Sequence, residues 1–512
     1  ILAKKFRDNW SNDIQNSKNL KSVGIVEYLF KNQSSRDVYI FLDQWGSLEG
    51  HPFYPTWKSK PGLDKEDVLK LSPEFNSITD IIFTALHKKR ACLEWMPEIE
   101  DISIWLRDNL TDIWSDWVKF LESNNLDPEN YYPLPVHGWH LRHFVQKEFS
   151  HDIETNNLVI DGPSIMARPT MSFRTVLPCN KDGKSLPDFP LIKLPVAIWM
   201  TSERRSLQAK SIHMGPRISH VINKIMSSDS FFDDKLEIFT EPLGIIRSEA
   251  GNDYKYRSSD SDICSLGKGD THQGRFLSAV FRDAKTLDRS DQLFPIPVAS
   301  LLTSGLDGKT PIVSELIDRI SDKDNVLLFW TKYLKTVLQP CIAMYLCYGI
   351  AFEAHQQNSL ILFDYSGVPQ KLLMKDFGDG RTYSPLLSER GYRIAPFVRE
   401  GILPTTFDND ISLVRSFLID ACLICHLNEL AMLLTNQYDL KNDIAWQLMA
   451  KEVFNAFDLI KDKVSNDLWH REYNAFLKAP WKTRSVLRMH LEGYKDYRVE
   501  HEMLNPLSKW IQ

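Results

Sequence analysis

The sequence predicts an α+β protein whose helical first and last thirds enclose a β-rich middle, with one hairpin set into the closing helical part. Three observations carry this. Over 101–124, Ile102, Trp105, Leu106, Leu110, Ile113, Trp114, Trp117 and Leu121 recur at three- and four-residue spacings, one apolar helix face. Pro133, Pro135 and Gly138 then break the pattern and place a boundary near residue 140. From 171–177 and 191–200 the chain reads as strands around Lys181-Asp-Gly-Lys184, with shorter strand material at Ile238, Leu243 to Arg247 and Phe276 to Val280. Stretches 326–351, 411–436 and 444–460 regain helical length and pattern. The expected lobes are therefore 1–140, 141–300 and 301–512.

Bulk properties fit an ordinary globular protein, with 43% hydrophobic and 25% charged residues in 512. A formal charge of −6 argues against nucleic-acid binding, which needs a net basic face. The seven cysteines are scattered and odd in number, which suits reduced, buried thiols and a cytoplasmic setting. The start, Ile1-Leu-Ala-Lys-Lys-Phe, has neither an initiator Met nor a signal-peptide core and reads as incomplete. Lys332, Lys335, Gln339 and Pro340 interrupt the apolar stretch 326–351, so a kinked core helix is expected there rather than a membrane span.

The chemistry concentrates between Glu353 and Asp376. Two apolar runs, Ser359-Leu-Ile-Leu-Phe363 and Lys371-Leu-Leu-Met-Lys375, flank the turn Asp364-Tyr-Ser-Gly-Val-Pro-Gln370. Such a hairpin sets Asn358 and Asp376 opposite each other, on the order of 5 Å apart at Cα. Glu353 and His355 lie just upstream. Two carboxylates and an amide oxygen at one hairpin end suit Mg2+, which completes its octahedron with phosphate and water. The pattern resembles the protein-kinase metal site, in which an Asn and the Asp of Asp-Phe-Gly hold the ions. His355-Gln-Gln supplies no catalytic Asp, however, so a different use of ATP is expected.

A second constellation is Ser172-Phe-Arg174-Thr175. On a strand Ser172 and Arg174 share a face. Lys193 lies on the opposing strand, which runs into Thr201-Ser202-Glu-Arg-Arg205. Thr201 or Ser202 is expected to cap a following helix with Arg205 in its first turn. Two arginines, a lysine, hydroxyls and free helix N–H groups make a strong anion receptor.

Together the motifs resemble the NRPS-independent siderophore synthetases, the aerobactin synthetase (IucA/IucC) family. Gly50-His-Pro-Phe-Tyr-Pro-Thr-Trp-Lys58-Ser-Lys60-Pro-Gly62 resembles the N-terminal box, and His137-Gly-Trp-His140 the His-Pro-Trp-Gln box. Ser172-x-Arg-Thr, Lys193-Leu-Pro, Thr201-Ser-x-x-Arg205 and Glu353-x-His-x-x-Asn358…Asp376 follow in the family order. The resemblance implies a cupped hand: a helical thumb, antiparallel β-rich fingers and a mainly helical, kinase-like palm. It also implies ATP-dependent adenylation of a citrate-type carboxylate, then attack by an amine or hydroxyl, in a homodimer free of nucleic acid and membrane. Carried over by motif, His137, Ser172, Arg174, Thr175, Lys193, Gln357, Asn358 and Asp376 hold ATP. Thr201, Ser202, Arg205 and His355 grip the polycarboxylate, and Glu353, Asn358 and Asp376 lie near Mg2+. Arg174, Lys193, Arg205 and His355 are the catalytic set. Gly138 and His140 depart from the family box, and Lys60 stands where an arginine is common.

Other motifs have plainer readings. Cys422-Leu-Ile-Cys425-His426 matches a haem-attachment pattern but sits in an apolar helical run. Gly305-Leu-Asp-Gly-Lys309-Thr310 lacks the first glycine of a phosphate loop, and Thr310 before Pro311 reads as a helix cap. Gly267 to Gly274 reads as a loop of the β lobe. The competing functions are a kinase-like phosphotransferase and a non-catalytic ligand-binding relic. Neither the acceptor nor the choice between citrate, substituted citrate and α-ketoglutarate is encoded legibly.

Overall fold

Nine strands, all paired antiparallel, form the largest element of the computed structural model, which describes residues 24–49, 58–200, 203–249, 273–398, 404–492 and 500–511. The path runs Ala91–Trp95, Leu243–Arg247, Ser278–Arg282, Leu191–Lys193, Thr175–Cys179, Ser164–Pro169, Thr79–His87, Tyr131–His137, with Leu158–Val159 also on Thr79–His87. The sheet curls, bringing Ser278–Arg282 near Tyr131–His137.

Helices Ile102–Asn109 and Thr111–Ser123 cover one face of this sheet. Their predicted apolar stripe is buried there through Leu106, Leu110, Ile113, Trp117 and Leu121. Trp117 anchors it by donating its indole N–H to the Thr84 carbonyl at 3.2 Å. The helical reading of 1–140 therefore needs correction. Three long strands, Thr79–His87, Ala91–Trp95 and Tyr131–His137, precede residue 140 and belong to the large sheet. Their prolines were read as breakers, yet Pro133 and Pro135 sit in Tyr131–His137 at the end of the sheet path, where a missing N–H is tolerated.

A four-stranded sheet carries the predicted hairpin. Ser359–Phe363 pairs antiparallel with Pro369–Met374, Ser359 facing Met374. Phe294–Pro297 flanks one side and Leu236–Ile238 lies parallel on the other. Leu360, Ile361, Leu362, Leu372 and Leu373 are buried, so the hairpin is covered on both faces, as its unbroken apolar runs demand.

The main core packs around helix Asn325–Tyr348, which keeps Pro340 within it and buries every side chain from Pro340 onward. Gly349 ends it in the left-handed conformation (φ 71°). A Cβ there would stand 2.3 Å from the Tyr383 carbonyl oxygen. Gly349→Ala is accordingly expected to lower the unfolding free energy by about 1–3 kcal/mol, measurable by urea titration. The chain then pairs Ile350–Ala351 with Arg381–Tyr383 and enters the segment beginning at Glu353.

Helices Ser412–Gln437 and Asn442–Asp458 match the predicted pair. Ser412–Gln437 is, among the described residues, one helix long and apolar enough to cross a membrane by length and composition. Its Val414, Phe417, Leu418, Leu423, Leu427, Leu430 and Leu434 are packed into the core. Cys422 and His426 are buried in the same helix, and the His426 ring bonds the Tyr333 hydroxyl at 2.7 Å and the Ala354 carbonyl at 3.1 Å, a structural role. Thr310 is not a cap. Pro311 caps Ile312–Ile317, and Asp307 binds the backbone N–H groups of Lys309 and Thr310 at 2.8 Å.

Candidate active site

The hairpin end forms one residue out of the expected register: Ser359 pairs with Met374, so Asn358 faces Lys375 rather than Asp376. Lys375 N–H donates to the Asn358 carbonyl at 3.1 Å, holding the two strand ends together. Asp376 then turns the chain away in the left-handed region (φ 69°), a conformation that costs a non-glycine residue on the order of 1 kcal/mol or more. Its carboxylate accepts from Lys193 Nζ at 2.6 Å and lies 3.6 Å from Arg282 Nη2. Burial works against that charge, but Lys193, Arg282 and Arg174 more than offset it and hold Asp376 well below the usual carboxylate range. Arg282 is itself fixed by Glu241 at 2.6 Å.

Lys193 reaches this point because its strand pairs with Thr175 on one side and Val280 on the other. Ser172 and Arg174 do not lie on a strand, as expected, but in the turn between Ser164–Pro169 and Thr175–Cys179. Phe173 adopts φ 70° and is buried, while Ser172 and Arg174 are half-buried on either side of it. Ser172 Oγ accepts from Thr175 N–H at 3.1 Å and shares a hydrogen bond with Thr170 Oγ1 at 2.9 Å, closing the turn. Arg174 donates to the Ser206 carbonyl.

Asp43, which belongs to none of the motifs, joins the turn to the hairpin. From the buried helix Ser35–Gly46 it accepts from Met171 N–H at 2.6 Å and from Lys375 Nζ at 3.1 Å. The two predicted constellations are thus bound through one carboxylate.

On the other side of Asp376, Asn358 Nδ2 donates to Glu353 Oε2 at 3.2 Å. Burial, then the charge of Asp379, raises Glu353 to about 7, with Asp376 adding and Arg484 and Lys210 opposing. Lys210 pairs with Asp379. His355 lies 3.9 Å from Glu353. Its Nδ1 accepts from Gln357 N–H at 3.2 Å, and burial lowers the ring to about 4, so it is neutral at pH 7. Glu353, Asp376 and Asp379 repel one another, and that donor set fits a hard cation. Among the described residues no three His, Cys, Asp or Glu side chains are gathered closely enough to hold a metal ion by themselves. Mg2+ at Glu353, Asn358 and Asp376 would therefore need phosphate or water oxygens as well.

Other predicted residues fall elsewhere. His137 lies behind the turn, 1% exposed, stacked on Phe173 with ring centroids 6.4 Å apart. Its Nε2 meets Thr79 Oγ1 at 3.1 Å and its Nδ1 has no partner among the described residues. His140 is structural: its ring bonds the Phe276 carbonyl at 2.8 Å and accepts from Ala197 N–H at 3.2 Å. Arg205 is not in a helix. Its N–H donates to the Ile198 carbonyl and its own carbonyl accepts from Val196 N–H, both at 2.8 Å, and the next helix starts only at Ala209. Gln357 contributes its backbone N–H to His355. Lys60 is buried and paired with Glu74. Thr201, Ser202 and Gly50 to Trp57 lie outside the described residues, as does most of the Gly267 to Gly274 loop.

The buried histidines set an acid limit. Burial lowers His137 to about 3 and His140, His355 and His426 to about 4. Below about pH 6.5 the unfolded chain takes up protons at these rings that the folded one refuses, so each stabilises less as pH falls toward its folded value. Glu315, Glu353, Asp420 and Glu429, raised by burial, act in the opposite direction, but carboxylates held low by cations, such as Asp80, Glu94 and Asp376, act with the histidines. Net stability is therefore expected to drop from pH 6.5 to 4, read as a falling urea midpoint. A flat profile would contradict the neutral, buried assignments.

Residues 38–303 match the sequence model of the IucA / IucC family, and residues 327–499 match one described as ferric iron reductase FhuF-like transporter. An uncharacterised Sinorhizobium fredii protein, y4xN, is 49% identical over 99% of this chain and 78% of its own length. The citryl-spermidine/3,4-dihydroxybenzoyl-citryl-spermidine:spermidine ligase of Bacillus anthracis is 24% identical over 90% of this chain and 71% of its own. The ATP-bound aerobactin synthetase IucA of Klebsiella pneumoniae superposes with a TM-score of 0.68 at 17% identity, covering 91% of this chain and 76% of that one. The boxes of Arg174, Lys193 and Glu353 to Asp376, which meet at Asp376, agree with these matches: the chain belongs to the IucA/IucC family of NRPS-independent siderophore synthetases.

Proposed function

We propose that this protein activates a citrate-type polycarboxylate with ATP and joins it to an amine or hydroxyl, releasing AMP and pyrophosphate. The observation that carries the reading is the Lys193–Asp376 contact, which brings the cationic turn of Arg174 and the acid–amide end of the hairpin to one point. In the first step a carboxylate oxygen attacks the α-phosphorus, an O–P bond forms, and the bond to the departing pyrophosphate breaks. The nucleophile is already ionised, so electrostatic clamping rather than a general base is the main demand. Arg174 and Lys193 supply fixed cations that cost no reorganisation as charge moves onto the leaving group. Ser172 and Thr175 shape the turn that presents them. Mg2+, when bound, would neutralise phosphate charge beside Glu353, Asn358 and Asp376.

In the second step the acceptor's nitrogen or oxygen attacks the acyl carbon, AMP leaves, and the acceptor's proton passes to solvent. Neutral His355 donates a hydrogen bond to the polycarboxylate through Nε2 without adding charge. Arg205, adjacent to the carbonyl that holds Arg174, completes the grip with Thr201 and Ser202. The use of ATP places the reaction in the cytoplasm. The test is citrate-dependent exchange of labelled pyrophosphate into ATP. Exchange that requires citrate supports the reading; ATP turnover indifferent to citrate or any other polycarboxylate contradicts it. Arg205→Ala is expected to raise the KM for citrate by roughly 10- to 100-fold, since a charged hydrogen bond is worth about 1.5–3 kcal/mol.

A further inference from the structure

A second charged cluster acts on Glu353 through Arg484, and the reaction above leaves it unused. Arg381 sits across the sheet from Ala351, two residues before Glu353. Its guanidinium lies over the rings of Phe417, at 4.8 Å, and Phe407, at 5.8 Å, and donates to the Leu413 carbonyl at 2.6 Å. No carboxylate lies within ion-pairing distance of it among the described residues. Arg484 stacks on the same Phe417 ring at 5.3 Å. Two guanidiniums thus meet one aromatic ring, and burial, then the charge of Arg484, lowers Arg381 to about 10 against the opposing charges of Glu353, Glu500 and Asp420. A half-buried guanidinium held beside a second cation favours an arriving anion.

An acid stands beside the pair. Asp420 Oδ2 is 3.2 Å from Arg484 N–H and 3.6 Å from Arg484 Nε. Asp420 lies in the first turn of the π-helical stretch Ile419–Asn428, a geometry frequent at functional sites. That stretch is pinned to the Glu353 segment where Gln356 Nε2 donates to the Cys425 carbonyl at 2.8 Å and His426 meets the Ala354 carbonyl. Burial holds Asp420 at about 6, although Arg484 opposes the shift. A cationic group arriving from solvent would stabilise its charge.

We infer that Arg381 and Arg484 bind the carboxylate, and Asp420 the ammonium, of a zwitterionic acceptor, so that the protein condenses its activated acid with an amino acid rather than with a plain amine. This rests on the proposed reaction, because the cluster is an acceptor site only if Glu353 and His355 border the acyl group. A diamine would satisfy Asp420 and leave Arg381 without a paired anion.

Matched acceptors that differ only by a carboxylate test it: lysine against cadaverine, ornithine against putrescine, serine against ethanolamine. With citrate and ATP, the amino acid of at least one pair is expected to condense with a kcat/KM roughly 10- to 100-fold above its decarboxylated partner. Arg381→Gln should raise KM for the amino acid by a similar factor while the matched amine moves little, and Arg381→Lys should recover part of the loss. The citrate-dependent exchange separates the two claims. Its absence in the unaltered protein overturns the proposed reaction and this inference with it. Intact exchange with equal use of both partners, preference for the amine, or no condensation within any pair overturns the inference alone.

Discussion

Lys193→Met is expected to lower kcat/KM for citrate-dependent pyrophosphate exchange by on the order of 10²- to 10³-fold, the cost of removing one preorganised donor from a charge-transfer site. Lys193 is buried and lies 2.6 Å from Asp376, so it does more than attract phosphate. Methionine keeps the stem's volume and removes only the charge, which leaves Asp376 with Arg282 at 3.6 Å and the more distant Arg174. The strand that carries Lys193 stays paired through its backbone to Thr175 and Val280, so the variant should fold. A loss confined to KM for ATP would mean that Lys193 binds the ground state only. A variant within threefold of the parent would remove it from the catalytic set.

The largest stability effect is expected at Asp43. Its carboxylate is fully buried and serves both Lys375 Nζ and the Met171 N–H. Asp43→Ala strands an ammonium that is itself 5% exposed, and losing one partner of a buried pair costs roughly 3–5 kcal/mol. Urea denaturation reads this directly. Pairing Asp43→Leu with Lys375→Met removes both charges and should recover much of the loss, because an apolar replacement for a buried ion pair is often neutral. Equal stability for Asp43→Ala and the parent would show that the turn and hairpin are not coupled through this residue.

What the sequence disclosed follows from locality. The hairpin Ser359–Phe363 and Pro369–Met374 was legible because apolar runs and a Gly-containing turn are contiguous, although its strand ends set Asn358 against Lys375, one residue before the expected Asp376. Helices such as Asn325–Tyr348 were legible for the same reason. The first sheet strands were not. Thr79–His87 and Tyr131–His137 are joined across more than forty residues, and the helices between them carried the stronger periodic signal. The Ser172–Thr175 segment was misplaced because its turn depends on a left-handed Phe173, a residue that rarely adopts one, held by burial and by Asp43.

At the site, the motif residues Arg174, Lys193, Glu353, His355, Asn358 and Asp376 do converge, whereas their supports were invisible. Arg282, Glu241 and Asp43 act over long sequence separations, and no local pattern marks them. Two missed residues had a local cue: Lys375 precedes Asp376 directly, and Asp379 follows three residues later in the same turn. His140 looked like a functional departure from a family box and proves to be a buried backbone tie.

The central claim is that the gathered cations at Asp376 serve attack of a carboxylate on the α-phosphorus of ATP. Citrate carrying heavy oxygen in its carboxylates tests it in a single reaction with acceptor present. The account predicts one labelled oxygen in the released AMP, with unlabelled pyrophosphate. Label in inorganic phosphate accompanied by ADP would contradict it, and would assign the site to phosphoryl transfer instead.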